Sequence, residues 1–455
     1  MCLSQIWINY DKLLYLRFKL NDMIEQPPFI LRDIDASLDN EELKNLISSI
    51  NSRYLYWSDV KYRMPSGMTA VELWGKVKSV RNLTDVRIWA QNNIHFSLTN
   101  TMQRLCHEFD MNFGGSWGAS KIFPDDKTTQ ELYLISSIME EAIASSQMEG
   151  AVTTREAAKE MLRKKVTPRD KSQRMILNNY NTINFIRDHA KEKLTPALIM
   201  QIHGMMTENA LDVPDAAGRL RRNDENIVVG NGITGEIVHT PPSAECLKEF
   251  LDSICAFFND ENTEIFVHPI IRAITIHFLV GYYHPFADGN GRTARALFYW
   301  YMMKSNYWLV QYLSISRIIK GTKKSYEKAF LYSEADGNDI GYFIQYNLDV
   351  LLKSFDALSR YIKRKNSEKK KAEKLLHLGN ITERQSQILG LCIENPDIVL
   401  VSTSIVGKFG VTPNTAKSDL RKLTENGYLK EISLNGRTKG YIRSVDFEEK
   451  ISKVR

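Results

Sequence analysis

The chain has 455 residues, 43% hydrophobic and 25% charged, which suits about three globular domains and excludes a disordered or fibrous protein. The net charge is +6, yet residues 359–374 alone hold eight Lys/Arg against two Glu, so the remainder is neutral on balance. No apolar run of about 18 residues exists to span a membrane, charged residues interrupt any signal-peptide core in residues 1–20, and Cys2, Cys106, Cys246, Cys255 and Cys392 show no CxxC spacing, so a cytoplasmic protein with reduced thiols is expected.

Residues 1–120 read as a mostly helical region, with Trp57, Trp74 and Trp117 as core or docking residues and a loop at Gly114-Gly115-Ser116-Trp117-Gly118. A helical pattern over about 129–150 places Leu132, Ile135, Ile138, Met139 and Ile143 on one face. Thr153-Thr154-Arg155-Glu156 offers a capping box, and Thr195-Pro196 starts a further helix with Thr as N-cap. Residues 226–240 break the helical run: Ile227-Val228-Val229 and Glu236-Ile237-Val238-His239 are β-prone, with a turn-rich tip between them. Residues 230–235 spell GxGxxG, but a strand and Pro241-Pro242 follow instead of a helix, so the dinucleotide reading is rejected in favour of a hairpin tip.

An apolar helix over 269–283 leads into His284-Pro285-Phe286-Ala287-Asp288-Gly289-Asn290-Gly291-Arg292-Thr293-Ala294-Arg295, and a second helix continues to about Lys304. His284 precedes proline, so it leaves the helix at a loop entrance, where an imidazole suits proton abstraction near neutral pH. Gly289 and Gly291 permit close approach of a ligand to the backbone and lead into a helix N-terminus that favours an anion. Asp288 beside phosphates calls for a Mg²⁺ bridging carboxylate and phosphate. Arg292 and Arg295, one turn apart, can clamp phosphate oxygens. The constellation points to a nucleotidyltransferase.

Residues 359–378 read as a basic helical linker, either a solvated connector or a stripe that also meets nucleic-acid phosphates. Residues 381–443 show three short helices and a hairpin from Tyr428 to Arg443 turning at Asn435-Gly436. Thr412-Pro413 opens the second helix of a helix–turn–helix, with Ala416, Leu420 and Leu423 facing inward and Thr415, Lys417, Ser418 and Arg421 outward. Arg437, Lys439 and Arg443 lie on the hairpin. Residues 379–455 hold twelve basic and nine acidic residues, a weak bias for a DNA binder, so duplex DNA and a protein partner both stay open.

Residues 284–295 fit HxFx[DE]GNGRxxR at every fixed position, and the chain from about 130 to 350 resembles the Fic family on this motif, the hairpin and Ser145-xxx-Glu149-Gly150. The resemblance implies a mainly α fold: a helical Fic core with a β-hairpin flap, plus a small α+β domain that resembles a winged helix. It implies AMP transfer from ATP to a hydroxyl side chain of a target protein, with His284 as base and Asp288 holding Mg²⁺. Asn290 with the amides near Gly289 and Gly291 would hold the α-phosphate, and Arg292 and Arg295 the β- and γ-phosphates. The flap (Ile227, Val228, Val229, Glu236, Ile237, Val238) would bind the target segment by strand addition. Ser145 and Glu149 match the family's inhibitory segment, in which Glu149 takes Arg295 from the γ-phosphate. The expected division is 1–120, 121–358 with the inhibitory helix, 359–378 and 379–455. A DNA-binding regulator that senses a nucleotide, and an enzyme that removes AMP with Glu149 positioning water, are the rival functions; a homodimer stays open.

Overall fold

In the computed structural model, the structure describes residues 24–29, 41–114, 127–230, 237–261, 264–376, 381–435 and 438–452. Helices dominate, with three two-stranded antiparallel hairpins among the described residues. The chain divides into two compact units, residues 1–356 and 357–455.

The first unit opens with α1 (Glu41–Ser52) and α2 (Ala70–Asn82), followed by β1 (Asp85–Trp89) and β2 (Ile94–Ser97). This hairpin departs from the mostly helical reading. Asn92 and Asn93 take the left-handed conformation at its tip, φ 63° and 51°, which asparagine tolerates and a tight hairpin turn requires. Trp89 and Phe96 are buried. After α3 (Asn100–Phe109), Trp117 and Gly115 to Gly118 lie outside the described residues; Trp57 and Trp74 are buried as expected. Buried Arg81 ties this region to the rest of the unit, donating to Asn51, to the carbonyl of Leu55 and to the hydroxyl of Tyr342.

The helices α4 (Lys127–Met148), α5 (Arg155–Lys164), α6 (Lys171–Asp188) and α7 (Pro196–Thr207) follow. Three begin on side-chain caps: Thr154 accepts from Ala157 N, Asp170 from Gln173 N and Thr195 from Leu198 N. The α5 cap is thus Thr154 alone, because the residue at the third helical position is alanine and cannot complete a capping box. The short strands β3 (Val229–Gly230) and β4 (Ile237–His239) precede α8 (Leu247–Phe258), α9 (Pro269–Tyr283) and α10 (Asn290–Lys304). Almost every residue of α9 and α10 is buried, in keeping with helices apolar on all sides. They pack on each other, α10 also meets α6 and α7, and α4 lies on α6, α5 and α11 (Ile315–Gly321). The unit ends through α12 (Lys323–Ala335) and into α13 (Gly341–Leu376).

The second unit contains α14 (Glu383–Glu394), α15 (Ser402–Phe409), α16 (Pro413–Glu425), the hairpin β5 (Leu429–Asn435) and β6 (Thr438–Arg443), and α17 (Phe447–Ser452). Leu400 bridges Tyr441 as an isolated third rung of that hairpin. Ala416, Leu420 and Leu423 of α16 are fully buried against Ile388, Leu389 and Ile405. Asp419, also on α16, is buried and receives hydrogen bonds from Arg384 (2.5 Å) and Gln385 (3.0 Å), which join α16 to α14. Gly436 and Arg437 at the hairpin tip lie outside the described residues.

Candidate active site

A helix leaves its last carbonyls without intrahelical partners. At the end of α9 each of them is taken. His284 stands in the left-handed conformation (φ 47°) and its N–H closes the helix on Val280 O. Its Nδ1 lies 3.1 Å from Gly281 O. A carbonyl only accepts, so Nδ1 carries the proton and Nε2 keeps its lone pair. His239 of β4 donates through Nε2 to Tyr282 O at 2.6 Å. Arg221 donates to Tyr283 O (3.3 Å), to His284 O (2.8 Å) and, through its backbone N–H, to Pro285 O (2.9 Å). Two basic side chains at the negative end of the helix dipole therefore fix the backbone of His284. Burial, chiefly, lowers the His284 pKa to about 4. The imidazole is neutral at pH 7, with a free nitrogen.

The loop from His284 to Gly289 is held from two sides. Asn290 is buried and both ends of its amide are committed: Oδ1 accepts from Phe286 N (2.9 Å) and Nδ2 donates to Phe286 O (2.8 Å). Asn290 thus shapes the loop, and Nδ2 keeps a second N–H. His203 of α7, fully buried, accepts from Gly218 N at Nδ1 (3.0 Å) and so donates from Nε2 to Asp288 O (2.8 Å). Its ring stacks on Phe286 with centroids 3.7 Å apart and planes 3° from parallel. Burial lowers its pKa to about 4, consistent with a neutral ring. Replacing His203 by alanine leaves a buried N–H and a carbonyl unpaired and opens a cavity beside Phe286. That change should cost roughly 2–5 kcal/mol of stability in urea denaturation; an unchanged midpoint would contradict the staple role.

Gly289, at φ 82°, caps α10 and is crowded: a Cβ there would come within 2.8 Å of Thr207 and 3.5 Å of Arg292 Nη2. Asp288 is exposed, and its Oδ1 accepts from Gly289 N at 2.5 Å. Its other oxygen has no protein partner among the described residues. Among the described residues no cluster of three or more metal-type ligands occurs. One free carboxylate oxygen suits a Mg²⁺ that a nucleotide's phosphates and water complete, and does not suit a cation caged by protein alone.

The two arginines differ. Arg292 is 1% exposed and donates from Nη1 to Met206 O, but its Nε and Nη2 have no partner among the described residues. Each such buried orphan donor costs on the order of 1–3 kcal/mol, a cost that an anion in the cradle would remove. Arg295, also buried, is held by Ser145 and Glu149. Its Nε donates to Ser145 Oγ (2.8 Å), and Nη2 to Ser145 O (3.2 Å) and Glu149 Oε1 (2.8 Å). Glu149 stands just past α4, in a turn ended by Gly150 at φ 93°, so the helix stops two residues before the expected end.

The Glu149 carboxylate crosses to the first turn of α10. A Cβ on Gly291 would stand 2.2 Å from Glu149 Oε1. Glu149 therefore occupies the positive N-terminal end of α10, where an anion is favoured. Burial alone would raise its pKa; Arg295, then Arg292 and His284, outweigh burial and hold it below the usual carboxylate range.

The flap is shorter than its sequence suggested. Among the described residues Val229–Gly230 and Ile237–His239 pair, with a bulge between Val229 and Gly230. Ile227 and Val228 precede the ladder because Asn226 turns the chain at φ 46°, and Val228 is 44% exposed. Val238 lies in β4; Glu236 lies outside the described residues. His203, Arg221 and His239, single basic residues far apart in sequence, were not singled out. Glu141 was also missed, although it shares a helix face with Ser145 and Glu149 at four-residue spacing. Its buried carboxylate accepts from Ser314 Oγ (3.1 Å), Ser316 N (3.0 Å) and Ser316 Oγ, which fastens α4 to the start of α11.

Residues 193–302 match the model of the Fic/DOC family. That segment holds the hairpin, His284 and the motif through Arg295; Ser145 and Glu149 fall outside it. The chain is 38% identical over 109 residues to protein adenylyltransferase fic-1 of Caenorhabditis elegans, covering 24% of this chain and 19% of that protein. It is 33% identical over 116 residues to protein adenylyltransferase Fic of Nematostella vectensis, covering 26% and 24%. The chain thus spans about a fifth to a quarter of these curated relatives. A solved fragment of Fic-1 from C. elegans shares the fold, with a TM-score of 0.50 at 18% identity over 72% of this chain and 85% of that one. Residues 193–302 thus match the Fic/DOC family model, and the motif and the helical frame of that segment agree with the match.

Proposed function

We propose that this chain transfers AMP from ATP to a hydroxyl side chain of a target protein and is held in check by Glu149. The observation that carries the reading is the position of the Glu149 carboxylate. It lies on Arg295 and against Gly291 at the N-terminus of α10, beside the unpartnered donors of Arg292.

His284 Nε2 takes the proton as the target oxygen attacks the α-phosphorus. The bond from that phosphorus to the bridging oxygen breaks, and pyrophosphate leaves. Arg292 offers Nε and Nη2 to phosphate oxygens in a buried setting, where charge-assisted hydrogen bonds are strong. Arg295 offers its guanidinium once Glu149 withdraws. Asp288 would hold Mg²⁺, which supplies charge neutralisation at the phosphates. The strands β3 and β4 offer edges for an extended target segment.

The direct test is labelled ATP incubated with the Glu149→Gly protein. Label on the protein itself or on a lysate protein supports the reading; no label with folded protein rejects it. The pH dependence gives a second check. A base whose pKa lies near 4 is deprotonated above that value, so kcat/KM should have its acid limb near pH 4 and not near the ordinary histidine value of about 6.5. An acid limb at 6 to 7 would contradict the neutral, half-buried His284.

We propose that residues 381–443 form a winged helix with a regulatory or protein-binding role. Lys439 pairs with Glu431 (2.7 Å), Arg421 with Glu425 (3.0 Å), and Arg443 donates to Cys392 O (2.8 Å), so these cations already have partners within the unit. That pairing favours the protein partner over duplex DNA only weakly, because the Lys439 and Arg421 pairs are exposed.

A further inference from the structure

His239 sits where the flap meets the end of α9. It is buried, and both ring nitrogens are bound: Nε2 to Tyr282 O at 2.6 Å and Nδ1 to Glu334 Oε2 of α12 at 2.8 Å. A backbone carbonyl accepts only, and so does an ionised carboxylate. Both contacts are satisfied together only if both nitrogens carry protons. We propose that His239 is a positioning residue that works as an imidazolium, tying β4 to α9 and α12 and so fixing the flap beside His284, and that the tie loosens when the ring loses a proton. The proposal rests on the reading of the hairpin as the target-binding flap.

The groups facing the ring set the sign. Glu334 on α12 is the facing acid. Tyr282 supplies its carbonyl and a ring 5.2 Å away, while Arg221 and His284 are the basic neighbours. Burial lowers the His239 pKa, but Glu334 and the two hydrogen bonds outweigh it and the net direction is upward. The tie is therefore intact at lower pH and is lost as pH rises through a value above the usual one for histidine. A neutral ring would set a lone pair against either the carbonyl or the carboxylate. Among the described residues β4 contributes Ile237, Val238 and His239 and pairs with a two-residue β3, and the His239 side chain ties that short ladder to α9 and α12.

The test needs no catalytic activity. Amide hydrogen exchange of residues 229–230 and 237–239, corrected for intrinsic exchange, is followed from pH 6 to 9 in the full chain, together with nitrogen-15 NMR of the His239 ring. In the wild type both nitrogens should be protonated at neutral pH, and flap protection should fall roughly tenfold across the ring's titration, the scale of one hydrogen bond. Glu334→Gln should move that fall to lower pH. His239→Gln should show weaker protection without a pH step. A neutral ring at pH 6, protection without a pH step in the wild type, or a step unmoved by Glu334→Gln would each overturn the proposal. If His239→Gln does not fold, the wild-type titration and Glu334→Gln decide the matter. Failure of the function reading would show separately, as absence of AMP transfer in Glu149→Gly.

Discussion

Replacing His284 by alanine is expected to lower AMP transfer by about two to four orders of magnitude, the range for loss of a positioned general base, while ATP affinity stays nearly the same. The separation follows from the geometry. His284 contacts the protein through Nδ1 on Gly281 O and presents Nε2 to the incoming hydroxyl. In the proposed reading the phosphate donors are Arg292, Arg295 and the start of α10, and neither arginine has a hydrogen bond to the imidazole. The backbone of residue 284 is fixed by Arg221, which binds the carbonyl and not the side chain. Calorimetric titration with ATP and incorporation of labelled AMP measure the two quantities on one preparation. Transfer at an undiminished rate would remove His284 from the base role. Loss of ATP binding would mean that the residue serves the nucleotide instead.

Replacing Glu149 by glycine is expected to raise AMP transfer by roughly one to three orders of magnitude. The carboxylate holds the Arg295 guanidinium and covers the first turn of α10. With 27% of its side chain exposed, the pair is worth less than a fully buried one, on the order of 1–4 kcal/mol, and that energy converts to the stated rate range. The gain should appear as self-modification or as label on target protein. The rival in which Glu149 positions water for AMP removal gives the opposite pattern: transfer unchanged and removal lost. Glu141 and Ser145 hold α4 in place independently, so the variant should keep its fold and its unfolding midpoint.

The motif was legible because it is contiguous: one loop and the first turns of the helix after it hold His284, Asp288, both glycines and both arginines. Glu149 was legible only once that motif gave it a partner. The frame around the motif was not. His203, Arg221 and His239 are isolated residues whose roles depend on carbonyls 43 to 85 residues away. No periodicity records such a bond. Asn290 also bonds Phe286 N and O through its amide, an intraloop contact that a residue pattern does not show. The hairpin at Asp85–Ser97 carries its signal in the Asn-Asn tip between short β-prone runs, which a mostly helical reading of residues 1–120 does not resolve.

Initial rates of AMP incorporation from labelled ATP, compared among the wild type, Glu149→Gly, Arg295→Ala and the double variant, test the central claim that carboxylate and nucleotide compete for one guanidinium. The account predicts a faster Glu149→Gly, a slow Arg295→Ala, and a double variant as slow as Arg295→Ala alone, because removing the brake is worthless without the group it blocks. A double variant as fast as Glu149→Gly would contradict it and show that Glu149 restrains the enzyme without acting through Arg295.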